Sequence, residues 1–458
     1  MHKHLYDITP SSTSYEMGMK RVLLSANESS CSITQIAVLT LKAGEQSATH
    51  IHPDLQDAFF ILEGKLDIYL DGQVHHCGAE DFFFVEHLKV YQLHAITDVR
   101  MLAMGCVIES QRTKLYPILF EPNLRTMVWG GQRLTDWKKL PLQDNIGESW
   151  EVSTHALLPS VVANGTWAGY PLKEVIEKMP EAILGKSVAK KYDNKLPLLV
   201  KFIDTKSDLS VQVHPNDAMA LREHNASGKT EMWYVVDADP DAYIYAGFKE
   251  ELTPEQYTQR VADGTIINAL AKHDIHTGDV FYIPAGRVHA IGKGVLLVEV
   301  QQSSDLTYRI YDYGRMGLDG KPRELHTDLA LQALDFNIYK AYKNSYTDAI
   351  DKANPCLDTE HFSVRVVSIT HPIRRNMIGY DSFVIITCTQ GECTIRIRST
   401  HDEVTLREGF SCLVPAAIAD YDILPLTPTA KLLESYINNS SQSGLRRLIS
   451  QFVHMTGF

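Results

Sequence analysis

Paired cysteines are missing from this chain. Its seven cysteines (Cys31, Cys77, Cys106, Cys356, Cys388, Cys393 and Cys412) are odd in number, scattered, and include no CxxC. That argues against a disulfide framework and a thiolate zinc site, and for reduced thiols in a cytoplasmic protein. An excess of positive charge is missing too. Against 44 Lys and Arg stand 56 Asp and Glu, a net charge of −12, so neither nucleic acid nor a membrane surface is expected as partner. No apolar run approaches the length of a membrane span, and the opening "MHKHLYDITP" lacks the apolar stretch of a signal peptide. A small anionic ligand stays open, because a local cluster of cations can hold one inside an acidic protein.

What is present is mostly strand. The 458 residues, 44% hydrophobic and 22% charged, allow two to four domains with cores of their own. "ITQIAVLTLKAG", "DAFFILEGKLDIYLDGQ", "EMWYVVDADPDAYIYAGF" and "SFVIITCTQGECTIRIR" are β-branched and aromatic, with glycine between them, which reads as barrels or sandwiches. Asp71-Gly72 predicts a hairpin turn. Two stretches read as packing helices, 171–184 and 253–271; the second has Thr253 as N-cap, Pro254 in the first turn and Gln256 placed for a capping box. The end of the chain reads as a polar linker and a short amphipathic segment. The strand-rich material falls into three blocks, 1–112, 113–345 and 346–458, and suggests one β-barrel unit repeated three times, with a small helical insertion in the central block.

The chemistry gathers in the central block. In "VQVHPND", Gln212 and His214 share one strand face while Val211 and Val213 share the other. Two polar side chains turned inward need a partner, and a metal ion is one. "GDVFYIPAGRVHAIG" places Gly278, Pro284, Gly286 and His289 at the spacing of the second cupin motif, in which a Pro-Gly bend aims the histidine into the barrel. A lone His289 would also read as a core histidine bonded to backbone. Glu231, which alone would read as a solvated carboxylate, completes a mixed N/O set with Gln212, His214 and His289, suited to a divalent ion that keeps a position open. Cations lie nearby: Lys201 ends an apolar strand where a charge is costly unless paired, Lys229 shares a face with Glu231, and Arg309 and Arg315 follow "QQSSDLTY". Together they point to an anionic substrate, phosphate above all.

In these motifs, and in "YPILFEPNLRTMVWGGQRL", "GESWEVSTH" and "LVEVQQSSDLTYRIYDYGR", the chain resembles the class I mannose-6-phosphate isomerases of the short bacterial type. The resemblance is strong over 115–345 and continues weakly to 437. It implies cupin (jelly-roll) barrels and one Zn²⁺ per chain on Gln212, His214, Glu231 and His289. It also implies an active-site Arg309 and pocket residues Ser210, Lys229 and Glu299; Lys201, read from its place in the apolar strand, is expected beside them as a substrate-binding cation. The implied reaction interconverts mannose 6-phosphate and fructose 6-phosphate by proton transfer through an enediol(ate). Glu299, Lys229 and a metal-bound hydroxide all remain open as the base; Arg309 is a poor proton acceptor. An isomerase of another sugar phosphate, or a sugar-phosphate-binding sensor, is the alternative, and the oligomeric state stays open.

The N-terminal block departs from the short family pattern. Gly44, His50, His52, Asp57 and Gly64 follow the first cupin motif with Asp where Glu is usual. The second motif is degenerate, with Tyr91 where a histidine belongs unless His94 substitutes. An extra barrel with weak or no metal binding is expected there. The third block, without a histidine pair, is expected to be a metal-free buttress.

Overall fold

The computed structural model describes residues 2–13, 17–25, 28, 33–51, 55–86, 89–107 and 115–439. Cys31, His52 and the amphipathic C-terminal segment lie outside them. The six described cysteines are free thiols. None of the described helices is long and apolar enough to cross a membrane.

The chain folds into two compact units, Met1–Lys114 and Leu115–Phe458. The first holds one six-stranded and one four-stranded sheet; the second holds a seven- and a five-stranded pair, then a six- and a four-stranded pair. Within each pair, side chains from both sheets meet in one apolar core. The larger sheets repeat one strand order. Leu198–Thr205, Val295–Gln302, Glu231–Ala238 and Val280–Ile283 are successive neighbours in the second pair. Ile33–Leu41, Val99–Val107, Leu55–Glu63 and Phe82–Val85 follow each other in the first, and Ser363–Ile369, Ala430–Tyr436, Val384–Gln390 and Ser411–Val414 in the third.

The third block, expected as a barrel of its own, shares a compact unit with the second. Strand alternation explains why. In the strands of the second large sheet, odd-numbered residues such as Ile203, Trp233 and Leu297 line the barrel core. Even-numbered Val200, Phe202 and Val298 face outward, where they join Val366, Ile385 and Leu433 of the third block in one buried cluster. Each of these sheets is apolar on both faces and so must be covered on both.

The Asp71-Gly72 turn forms as expected, both residues with positive φ (48° and 83°) between the paired strands Lys65–Leu70 and Gln73–Gly78. Helix 171–184 is instead two short helices, Leu172–Lys178 and Pro180–Leu184. Pro180 lacks an N–H and drives Met179 out of the helical region, to φ −145° and ψ 56°. The 253–271 helix has its capping box but covers only Pro254–Ala262, because the chain then turns through Gly264 and enters the strand Leu270–Asp274.

Candidate metal centre and active site

Backbone chemistry at two bends sets the centre. Val211–Val213 is a three-residue strand, because Pro215 follows His214 with no N–H to continue the ladder and Asn216 caps the next helix by accepting a hydrogen bond from Met219 N–H. The second bend, through Pro284 and Gly286 (φ 91°), joins Val280–Ile283 to His289–Ile291. Gly286 N–H donates to the His214 carbonyl (2.9 Å), tying the bends together. Antiparallel pairing then sets Gln212 opposite His289.

His214, Glu231 and His289 converge, with ligand atoms within 4.8 Å of one another, and all three are fully buried. Each imidazole donates its Nδ1–H to a backbone carbonyl, His214 to Leu306 and His289 to Arg287, both at 2.8 Å. That sets the tautomer and leaves both Nε2 lone pairs facing the Glu231 carboxylate, at 3.4 and 3.5 Å. Burial keeps the rings neutral. It pushes His289 down to about 3, helped by His214, and lowers His214, helped by Lys229. Neither Glu231 oxygen has a well-formed hydrogen bond. Burial alone would raise its pKa, but the Lys229 ammonium beside it holds it well below the usual carboxylate range. The Gln212 amide nitrogen lies 3.2 Å from His289 Nε2, and a half-turn of the amide presents its oxygen instead. Two imidazole lone pairs, a carboxylate and an amide converge on one point, a donor set that fits a divalent ion.

Above these ligands opens a cavity of about 220 Å³, lined among others by Lys201, Ser210, Gln212, Lys229, Glu299 and Arg309. Larger clefts elsewhere, including one of about 690 Å³ beside Lys173 and Tyr192, touch none of the candidate ligands. Lys229 Nζ is 2.8 Å from Glu231 and 3.1 Å from His214 Nε2. Burial works against its charge, but Glu231 and Glu299 outweigh this and raise its pKa. Glu299 faces Lys201 across adjacent strands, with Nζ–Oε1 3.3 Å, and accepts from Trp233 Nε1–H at 3.1 Å. Burial, then the Glu231 charge, raise its pKa. Arg309 pairs in register with Gln212 and donates to the Glu324 carbonyl (2.9 Å), while its buried Nε has no partner.

All nine expected site residues therefore lie in the cavity or directly beneath it. Arg315 does not: Asp312 and the Asp208 carbonyl hold its guanidinium. Sequence reasoning missed Arg125, Glu148 and Arg323, which line the same cavity. Arg125 bridges Glu148 (3.3 Å) and Asp305 (3.8 Å), and Asp312 steers Arg323. Glu148 lies within the quoted "GESWEVSTH" and Arg125 within "YPILFEPNLRTMVWGGQRL"; nothing local marks Arg323.

Register shows what the other two barrels carry at the ligand positions. Glu231 pairs with Ile283 and Gln301. Asp57 pairs correspondingly with Val85 and Gly105, and Val384 with Val414 and Tyr436. The Gln212–His289 pair corresponds to His50–Tyr91 and to Arg375–Tyr421. In the third barrel Arg375 and Glu434 form a buried two-point ion pair, 2.6 Å at each contact, which places a fixed cation at a ligand position. In the first, the Tyr91 hydroxyl donates to Asp57 (2.7 Å). His94 cannot substitute for Tyr91. Its strand pairs without a register shift, so His94 points away from the core that takes Tyr91, Leu93 and Ala95.

Residues 119–254 match the family of the phosphomannose isomerase type I catalytic domain, and residues 37–105 match the cupin domain family. Mannose-6-phosphate isomerase ManA of Bacillus subtilis is 40% identical over 310 residues, covering 67% of this chain and 95% of that protein. A mannose-6-phosphate isomerase of Streptococcus mutans is 32% identical over 307 residues, 67% and 94% of the two chains. The crystal structure of the mannose 6-phosphate isomerase from Bacillus subtilis aligns with a TM-score of 0.63 at 31% identity, covering 70% of this chain and 99% of that one.

Proposed function

Because the chain belongs to the type I mannose-6-phosphate isomerase family, we propose that it interconverts mannose 6-phosphate and fructose 6-phosphate at the centre built on His214, Glu231 and His289. The observation that carries the reading is the convergence of two neutral imidazoles and a buried carboxylate beneath a cavity ringed by cations. Gln212, His214, Glu231 and His289 would hold a zinc ion, which suits such N/O donors. When bound, the ion supplies a Lewis acid that polarises carbonyl and hydroxyl oxygens and stabilises developing negative charge.

The reaction moves one proton from C2 to C1 and one hydroxyl proton from O2 to O1. Glu299 is our choice of base. Burial raises its pKa, and its Oε1, ion-paired with Lys201 at 3.3 Å, accepts no well-formed hydrogen bond. It takes the proton from C2 of the aldose and returns it to C1 of the enediol(ate). Lys201 and Trp233 orient its carboxylate. Lys229 donates toward the oxygens that change charge, and Arg309 stabilises the enediolate. Arg125 and Arg323 supply further positive charge for the phosphate, and Ser210 a hydroxyl. A coupled assay with mannose 6-phosphate on metal-replete protein tests the reading; absence of turnover, or a strong preference for another aldose phosphate, overturns it.

Two further expectations follow from the geometry. Arg309→Lys keeps the charge but loses the planar fork. We expect kcat to fall about a hundredfold or more with metal content intact, the size of losing one donor to a developing anion; an effect on KM alone would move Arg309 to ground-state binding. A chain truncated to begin near Gln111 keeps every proposed ligand and cavity residue and the whole of the second compact unit. Its turnover per bound metal is expected to match the full chain, and a folded, metal-loaded but inactive product would show that residues 1–112 shape the site.

A further inference from the structure

The outward face of the larger N-terminal sheet carries an apolar surface unlike the rest of that unit. Its inward positions, Ala37, Leu39, Phe59, Ile61 and Met101, fill the barrel core. The alternate positions point the other way, and they are apolar as well. Val38 and Phe60 flank Leu102, Ile36 and Ala58 flank Met104, and Phe82 and Phe84 oppose Phe60 and Ala58. Phe60, Leu62, Phe82 and Phe84 are 38%, 36%, 63% and 46% exposed. A half-solvated sheet would normally alternate apolar with polar residues, so four large exposed side chains on adjacent strands mark an interaction surface.

The repeat within the chain says what kind of surface this is. In register, Leu102 corresponds to Val298 of the second barrel and Leu433 of the third, since they neighbour Ala103, Glu299 and Glu434 at matching pairings. Val298 and Leu433 lie in the single cluster that packs the second barrel's large sheet against the third's. The same face of the same sheet is thus a sheet-packing surface in both barrels of the second unit. We propose that in the N-terminal barrel this face packs against its own counterpart in a second copy of the chain, related by a twofold axis.

Size and charge agree with that occupant. The four adjacent strands that carry these side chains, Ile33–Leu41, Val99–Val107, Leu55–Glu63 and Phe82–Val85, span roughly 20 by 25 Å at a spacing of about 4.8 Å. Such a patch, corrugated by side chains, approaches the roughly 800 Å² that one partner gives to a standard interface. A chain of net charge −12 resists indiscriminate self-association, yet this face carries little net charge. Glu63 is neutralised by Arg100 at 3.0 Å, and Arg21 lies over the Tyr6 ring. An isologous contact also needs only self-complementarity, which an apolar sheet face supplies.

Sedimentation equilibrium of the full chain tests the proposal. Wild type is expected at twice 51.5 kDa at micromolar concentration. The double variant Phe60→Glu/Phe84→Glu is expected to sediment as a monomer with unchanged kcat and metal content. Phe82→Gln changes the most exposed of these side chains, which the fold tolerates best, and should weaken the dimer at least about tenfold. Val74→Glu, on the smaller sheet, should leave it intact. A monomeric wild type overturns the proposal. So does a Phe82→Gln chain with native circular dichroism that dimerises as tightly as wild type, and this arm decides the matter if the double variant misfolds. A dimer lost equally on Val74→Glu overturns the choice of face.

Discussion

Alanine in place of His289 is expected to leave the protein without its divalent ion and to slow turnover by about 10³-fold or more, the rate equivalent of several kcal/mol of Lewis-acid stabilisation. His289 donates its Nδ1–H to Arg287 and turns Nε2 toward Glu231, so the ring would act as a ligand in this tautomer only. His214→Ala should behave alike, for the same reason on the neighbouring strand. Metal analysis after gel filtration, with circular dichroism to show that the barrel persists, separates loss of the ion from loss of the fold. Both variants retaining a full ion and near-normal turnover would dismantle the centre. Chelation of the wild-type protein should also lower its melting temperature, because a vacated centre leaves the Glu231 carboxylate and two lone pairs facing one another with Lys229 as their one cation.

The second large effect is expected at Glu299. Glu299→Gln keeps the shape, and the amide can still accept from Trp233, but it cannot take a proton. We expect kcat to fall about 10² to 10⁴-fold, the usual worth of a positioned general base, with metal content unchanged. The pH profile carries the sign. Burial raises the Glu299 pKa, and only the deprotonated form acts as base. The kcat/KM of the wild type should therefore fall on acidification, through an apparent pKa above the usual carboxylate range. Glu299→Gln should lose that limb. If the variant keeps both its rate and the acid limb, the base is another group.

Much of the centre was legible because cupin-type ligands come from short local patterns. Gln212 and His214 sit two apart on one strand, and Gly278, Pro284, Gly286 and His289 follow one another through a single bend. Spacing alone sets which face such residues share, since a strand has period two and a proline ends a ladder wherever it falls. Glu231 was legible only in company, as the carboxylate that completes a set of donors. Helix boundaries were legible where a cap exists, as at Thr253, and misread where Pro180 breaks an otherwise helical pattern.

The sequence by itself determined the class of fold and the family, because both rest on short motifs and their order along the chain. Tertiary structure alone decided the rest. Strand register brings Lys201 to Glu299 across ninety-odd residues of chain, and Arg125 and Arg323 to the same cavity from separate parts of the chain. It turns His94 away from the N-terminal core and gives Tyr91 to Asp57. It joins the second and third barrels back to back and leaves Phe60, Phe82 and Phe84 of the N-terminal barrel exposed. The physical reason is common to all of these: period two says which residues share a face, but only the pairing of distant strands says what that face meets.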